Sequence, residues 1–132
     1  MNTIHTDNAP AAVGPYSQAV SVAVNEGAGE MVFCSGQIPL VPGGDPGEMP
    51  NDIAQQTEQV LKNLTAVLLA AGCELKDVVK TTIYLTDLGH FGTVNAVYAR
   101  YFSSCPPARA TVEVAALPLG ASVEIDAIAI AR

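Results

Sequence analysis

The sequence predicts an α+β domain in which two helices pack on one face of a β-sheet. Three observations carry that expectation. Two long segments repeat apolar residues at helical spacing, several shorter ones are rich in β-branched residues, and the order is strands, helix, strand, helix, strands. At 132 residues the chain fits a single domain, 1–132, large enough to bury a substantial core.

A first hairpin is expected from residues 17–24 and 30–35, two β-prone runs flanking the turn-rich NEGAGE. The following VPGGDPGEMPN (41–51) holds three prolines and three glycines and reads as a loop without regular structure. Residues 52–71 form the first helix, because Ile53, Val60, Leu61, Leu64, Val67, Leu68 and Ala71 fall on one stripe. Asp52 is placed to cap its first turn, Gln55 to complete a variant capping box, and Gly72 to stop it. Residues 78–86 make a β-branched strand.

The second helix, 90–104, carries Phe91, Val94, Tyr98, Tyr101 and Phe102 at helical spacing and ends before Pro106 and Pro107. Strands at 109–116 and 122–131 follow, joined by LPLGA as a second hairpin. With both helices on one side, the opposite sheet face needs its own cover. Contact between copies of the chain would supply it.

Composition points the same way. Hydrophobic residues make up 49% of the chain and charged ones 14%, an apolar balance that suits an oligomer. No uninterrupted apolar run reaches the roughly 18 residues of a membrane helix. The opening MNTIHTDNAP has neither a basic start nor an apolar core, so no signal peptide is expected. Six scattered Lys and Arg against thirteen Asp and Glu, a net charge of −7, argue against a general nucleic-acid surface. Cys34, Cys73 and Cys105 are odd in number and lack CxxC spacing. They argue against a disulfide framework or zinc site and suit reduced thiols in the cytoplasm. His5 and His90 have no partner at metal-ligand or catalytic-triad spacing and read as surface or capping residues. The aromatic residues of the second helix read as core or interface rather than as a platform for stacking bases.

PPARATVEV (106–114) sets one of the scarce cations in a run that otherwise reads as a strand. Strand alternation puts Arg109, Thr111 and Glu113 on one side and Ala110, Val112 and Val114 on the other. In the last strand Val123, Ile125, Ala127 and Ala129 line one face, with Glu124, Asp126, Ile128 and Ile130 on the other. Pairing of these two strands would bring cation and carboxylates together. Arg109 then has two readings. It is structural, in an ion pair with Glu113, Glu124 or Asp126 or at a solvent-exposed strand end, or it is a carboxylate receptor whose planar fork grips a small acid through two parallel hydrogen bonds. Pattern alone does not choose.

APAAVGPYSQAV (9–20) resembles the opening signature of the RidA family, also called YjgF. SGQIPL (35–40) resembles its second block, and QVLKNLTAVLLAAG followed by VVKTTIYLTD its third. PPARATVEVAALPLGASVEIDAIAIA resembles its C-terminal signature, so the likeness runs in order through nearly the whole chain. The resemblance implies a chorismate mutase-like α+β fold with a mixed sheet, assembled as a homotrimer with small-molecule clefts between adjacent subunits. It also implies hydrolysis of reactive enamines and imines, such as 2-aminoacrylate, 2-aminocrotonate and their imine tautomers, to 2-keto acids and ammonia. Pyridoxal-phosphate dehydratases release such compounds from serine and threonine, and the family reaction needs no cofactor or metal.

Carried over residue by residue, Arg109 matches the arginine that holds the substrate carboxylate, and Glu124 the glutamate that orients the attacking water. Tyr16 matches the tyrosine that closes the pocket, Ser35 and Gly36 the segment lining it, and Asn95 a pocket asparagine on a helix. Thr111 stands where some members carry cysteine, which argues against any need for a nucleophilic thiol. Ribonuclease or translation-inhibitor activity is the competing enzymatic reading, and a carboxylate-binding or chaperone-like trimer the non-enzymatic one. The acidic charge and the lack of paired histidines count against the first of these.

Overall fold

The computed structural model describes all 132 residues. Its elements in chain order are β1 (Asn2–Ile4), β2 (Ala19–Ala23), β3 (Glu30–Gln37), α1 (Ile53–Ala70), β4 (Val78–Leu85), α2 (Phe91–Tyr101), β5 (Ala108–Glu113) and β6 (Val123–Ala131). The strands form one sheet in the order β1-β2-β3-β6-β4-β5. Only β4 and β5 run parallel; every other neighbouring pair is antiparallel. The sheet is therefore mixed, and α1 and α2 pack together on one face of it, as the α+β reading expected.

The first hairpin forms as β2–β3, with Asn25, Gly27 and Gly29 at positive φ in its turn. Gly29 has no substitute there, because a Cβ would stand 2.5 Å from the Ala131 carbonyl oxygen. α1 follows from its apolar stripe: Val60, Leu61, Leu64, Val67 and Leu68 are fully buried against the sheet. Asp52 caps it by accepting from the Gln55 amide at 3.0 Å, without a return bond from the Gln55 side chain. Gly72, at φ 77, ends it. α2 stops at Tyr101, three residues short of the expected end, because Ser103 and Ser104 propagate a helix poorly just ahead of Pro106. Within 41–51 a 3-10 turn, Pro46–Glu48, gives the loop more regularity than its composition promised.

The second hairpin does not form. β6 enters between β3 and β4, and β5 lies at the sheet edge beside β4. Parallel strands need a crossover, and α2 provides one between β4 and β5. The LPLGA connection is correspondingly a 3-10 turn, Pro118–Gly120, that carries the chain past β4.

The face opposite the helices has no covering layer within the chain. Phe33, Ile128, Thr82, Tyr84, Glu124, Asp126 and Val112 share it by register, and Val22, Phe33 and Val112 are exposed apolar residues. No helix is long and apolar enough to cross a membrane.

Candidate active site

The sequence-derived residues fall into two groups on opposite sides of the sheet. Arg109 pairs in register with Thr81, whose row continues into the buried Ala127, so its side chain emerges on the helix side. There its guanidinium carbon lies 5.0 Å from the Tyr98 ring centroid and 5.5 Å from that of Phe91. Both rings come from α2, at spacing that puts Phe91, Asn95 and Tyr98 on one helical stripe. Asn95 thus faces the same region as Arg109. The Tyr98 hydroxyl, hydrogen-bonded to Thr81 Oγ1 at 2.7 Å, is fixed by the sheet beneath it. Burial raises the Tyr98 phenol above its usual value, against the opposing pull of Thr81 and the Arg109 charge.

Arg109 enters none of the four ion pairs, which are His5–Asp7, Lys76–Glu74, His90–Asp87 and Arg100–Glu58. The expected alternatives with Glu113, Glu124 and Asp126 are therefore not formed. Thr111 shares the Arg109 side of β5, and its hydroxyl oxygen is buried without a hydrogen-bond partner. A polar atom left in that state is costly unless something engages it.

The second group is Tyr16, Ser35, Gly36 and Glu124, which with Pro118 line a cavity of about 260 Å³. Ser35 and Gly36 sit at a β-bulge, where the β3–β6 register shifts between Cys34 and Gln37. The bulge lets the Ser35 hydroxyl donate to the Ser17 carbonyl at 2.6 Å and its amide to Gln18 O at 2.9 Å. The Tyr16 hydroxyl accepts from the Val13 amide at 3.1 Å, holding the half-exposed ring at the tip of its loop. Glu124 projects from β6 on the face away from the helices, directly across from Tyr84. Burial first, and the Asp126 charge second, hold its carboxyl above the ordinary range.

One chain does not bring the two groups together. Arg109 and Glu124 occupy opposite sheet faces, on strands separated by β4. The expectation that their strands pair fails because β6 pairs with β3 and β4.

Sequence reasoning missed the braces beneath the second group. Gln18, 3% exposed, donates to the Pro10 carbonyl at 2.8 Å and accepts from the Thr6 amide at 2.7 Å, pinning the segment that leads to Tyr16. Gln56 accepts from the Ser122 amide at 3.0 Å, just before Glu124. Asn63 donates to Ile38 O and Leu40 O at 3.0 and 2.8 Å, tying the segment after Gly36 to α1. Their signal was weak: polar residues on the buried side of apolar periods. Phe91 and Tyr98, core or interface residues by their helical spacing, also carry no sequence signal of their contact with Arg109.

The family profile described as "Endoribonuclease L-PSP" matches residues 6–131. "Protein DfrA" of Myxococcus xanthus is 57% identical over 96% of this chain and 93% of its own length. A protein of Escherichia coli (strain K12) named 2-iminobutanoate/2-iminopropanoate deaminase is 47% identical over 98% of both chains. The Mus musculus protein of the same name is 48% identical over 96% of this chain and 89% of its own. The crystal structure of the YjgF gene product from E. coli matches with a TM-score of 0.88 at 46% identity, covering 100% of each chain. With the profile matched over residues 6–131 and relatives this similar along most of their length, the chain belongs to the YjgF/RidA family, described as Endoribonuclease L-PSP.

Proposed function

We propose that the protein hydrolyses small 2-imino and 2-enamino carboxylates, among them 2-aminoacrylate and 2-aminocrotonate, to 2-keto acids and ammonia. The site is assembled between copies of the chain in a homotrimer. The observation that carries this reading is the state of Arg109: a half-buried guanidinium seated over two rings, unpaired with any carboxylate of its own chain. A small acid is the partner that satisfies it. Relatives named for deamination of 2-iminobutanoate and 2-iminopropanoate supply the class of acid.

The chemistry needs few parts. Arg109 of one copy holds the substrate carboxylate in its fork, with the orphan Thr111 hydroxyl and Asn95 beside it. Tyr16, Ser35, Gly36 and Glu124 of the neighbouring copy close over C2. Water held by Glu124 attacks the imine carbon; its proton passes to the carboxylate, and the C=N π pair moves to nitrogen. Glu124 returns that proton to nitrogen to give the neutral carbinolamine. It then relays the carbinol hydroxyl proton to nitrogen as the C–N bond breaks, so the carbonyl forms and ammonia leaves. Enamine substrates enter as their imine tautomers. One water is consumed, and the steps call for no metal, cofactor or covalent enzyme intermediate. The elevated proton affinity of Glu124 suits it to accept that proton. General-base help of this kind is worth about 10²–10⁴-fold. That is useful against a substrate that already hydrolyses unaided.

The uncovered sheet face, with exposed Val22, Phe33 and Val112, supports association between copies. Pyridoxal-phosphate dehydratases acting on serine and threonine would supply the substrate. A cytoplasmic location fits that supply and the free thiols.

The family description raises RNA cleavage as a second reading. The net charge of −7 weighs against it. The test couples a threonine dehydratase to the purified protein and follows imine decay to 2-ketobutyrate. Faster decay with wild type, lost in Arg109→Ala, supports deamination. RNA cleavage that survives purification and disappears in Arg109→Ala would support the second reading instead.

A further inference from the structure

The open sheet face carries a second carboxylate that the proposed reaction does not use. Asp126 lies two residues after Glu124 on β6, on the same face, so their Cα atoms are roughly 7 Å apart. Both of its oxygens are occupied: Oδ1 accepts from the Thr82 amide at 3.2 Å and Oδ2 from the Tyr84 hydroxyl at 3.0 Å. Tyr84 is the register partner of Glu124. A hydroxyl that could reach across the strand pair toward Glu124 is instead drawn diagonally to Asp126. Neither carboxylate has a cation within 4.0 Å, since the four ion pairs lie elsewhere.

We propose that Asp126, clamped by Tyr84 and the Thr82 amide, is a positioning residue that strengthens Glu124 as a proton acceptor. It acts in two ways with the same sign. Its carboxylate charge disfavours a second ionised carboxylate beside it, and its hold on Tyr84 withholds a donor that would stabilise ionised Glu124. Burial of Glu124 acts in the same direction.

The titratable groups around Glu124 are Asp126 on its own strand, Tyr84 and Lys80 on β4, and Tyr16 on the loop before β2. In the assembled site, Arg109 of the neighbouring copy joins them and draws Glu124 the other way. Asp126 therefore keeps Glu124 basic in the presence of the cation that binds substrate.

This inference rests on the deaminase reading, and the test separates the two. The pH dependence of kcat/KM for imine hydrolysis is measured for wild type, Glu124→Gln, Asp126→Asn and Tyr84→Phe, with folding and assembly of each checked by circular dichroism and sedimentation. The acid limb of the wild-type profile is expected to vanish in Glu124→Gln. It is expected to move to lower pH in Asp126→Asn, with the plateau falling less than roughly tenfold because the base itself remains. Tyr84→Phe removes the hydroxyl that partly offsets the Asp126 charge and leaves the charge in place, so its limb moves to higher pH.

If Glu124→Gln retains the wild-type rate and acid limb, the deaminase assignment of Glu124 fails and this inference with it. If Glu124→Gln behaves as expected but folded Asp126→Asn keeps the wild-type limb, this inference alone is overturned. Should Asp126→Asn not fold, Tyr84→Phe decides: a raised limb supports the proposal, and an unmoved or lowered limb overturns it.

Discussion

Gly36 and Glu124 fit together only because position 36 has no side chain. A Cβ there would stand 2.6 Å from Glu124 Oε2 and 2.7 Å from its carboxyl carbon, closer than real contacts allow. The β3 bulge and the glycine in it create the space in which the carboxylate lies. Gly36→Ala should therefore displace Glu124 while leaving the buried core intact. Misplacement of a reacting group by about 1 Å costs on the order of 10²-fold in rate. Steady-state assay beside a thermal melt checks this: rate lost with Tm nearly unchanged is expected, and a fully active variant contradicts it.

Arg109 makes a sharper demand than positive charge. A lysine at 109 keeps the charge but cannot offer two parallel donors or a planar group over the Phe91 and Tyr98 rings. Losing one charge-assisted hydrogen bond weakens binding roughly 10- to 100-fold. Arg109→Lys should raise KM by about that factor, measured with imine generated in situ. Wild-type kinetics in that variant would remove the bidentate grip from the account.

Glu124 links function to stability with opposite signs. Its folded proton affinity is raised, first by burial and then by Asp126, so the fold prefers the protonated carboxyl. The favourable contribution of protonation is present at low pH and disappears as pH rises through the folded value. Glu124→Gln should accordingly melt at higher temperature than wild type at pH 8, and the difference should shrink as pH falls through the raised value. Activity should drop about 10²-fold or more over the same comparison. Calorimetry across pH checks the trend; a Glu124→Gln protein less stable than wild type at pH 8 would be the wrong sign.

The cysteines offer an independent check of the packing. Cys34 and Cys73 are 6% and 1% exposed, whereas Cys105 is exposed. Burial, helped by Cys73 and Asp126, pushes the Cys34 thiol up to about 12. A thiol reagent at pH 8 should modify one group per native chain and all three only in denaturant. Rapid reaction of a second thiol in the native protein would show that the core is more open than described.

What the sequence disclosed and what it withheld divide along range. α1 was legible because its stripe, its Asp52 cap and its Gly72 stop are all local, and Arg109 stood out as a rare cation among apolar neighbours. The sheet order was not legible, since nothing local tells β6 to enter between β3 and β4 rather than fold back on β5. That single non-local choice puts Arg109 and Glu124 on opposite faces. The braces were hidden for the same reason: Gln56 and the Ser122 amide it serves are 66 positions apart. Asn63 and the Ile38 carbonyl are 25 apart. Each looks like an ordinary helical polar residue until the chain is folded.

The central claim is that Arg109 and Glu124 meet only between copies, and mixed assembly tests it most directly. Arg109→Ala and Glu124→Gln chains, each strongly impaired alone, are co-refolded in equal amounts and assayed for imine hydrolysis. In a ring where each site takes its arginine from one chain and its glutamate from the next, random mixing leaves both groups intact at about one quarter of the sites. Recovery near one quarter of the wild-type rate is the predicted result. Mixed assemblies that form but stay as slow as their parents would contradict the account, because they would require both groups to come from a single chain.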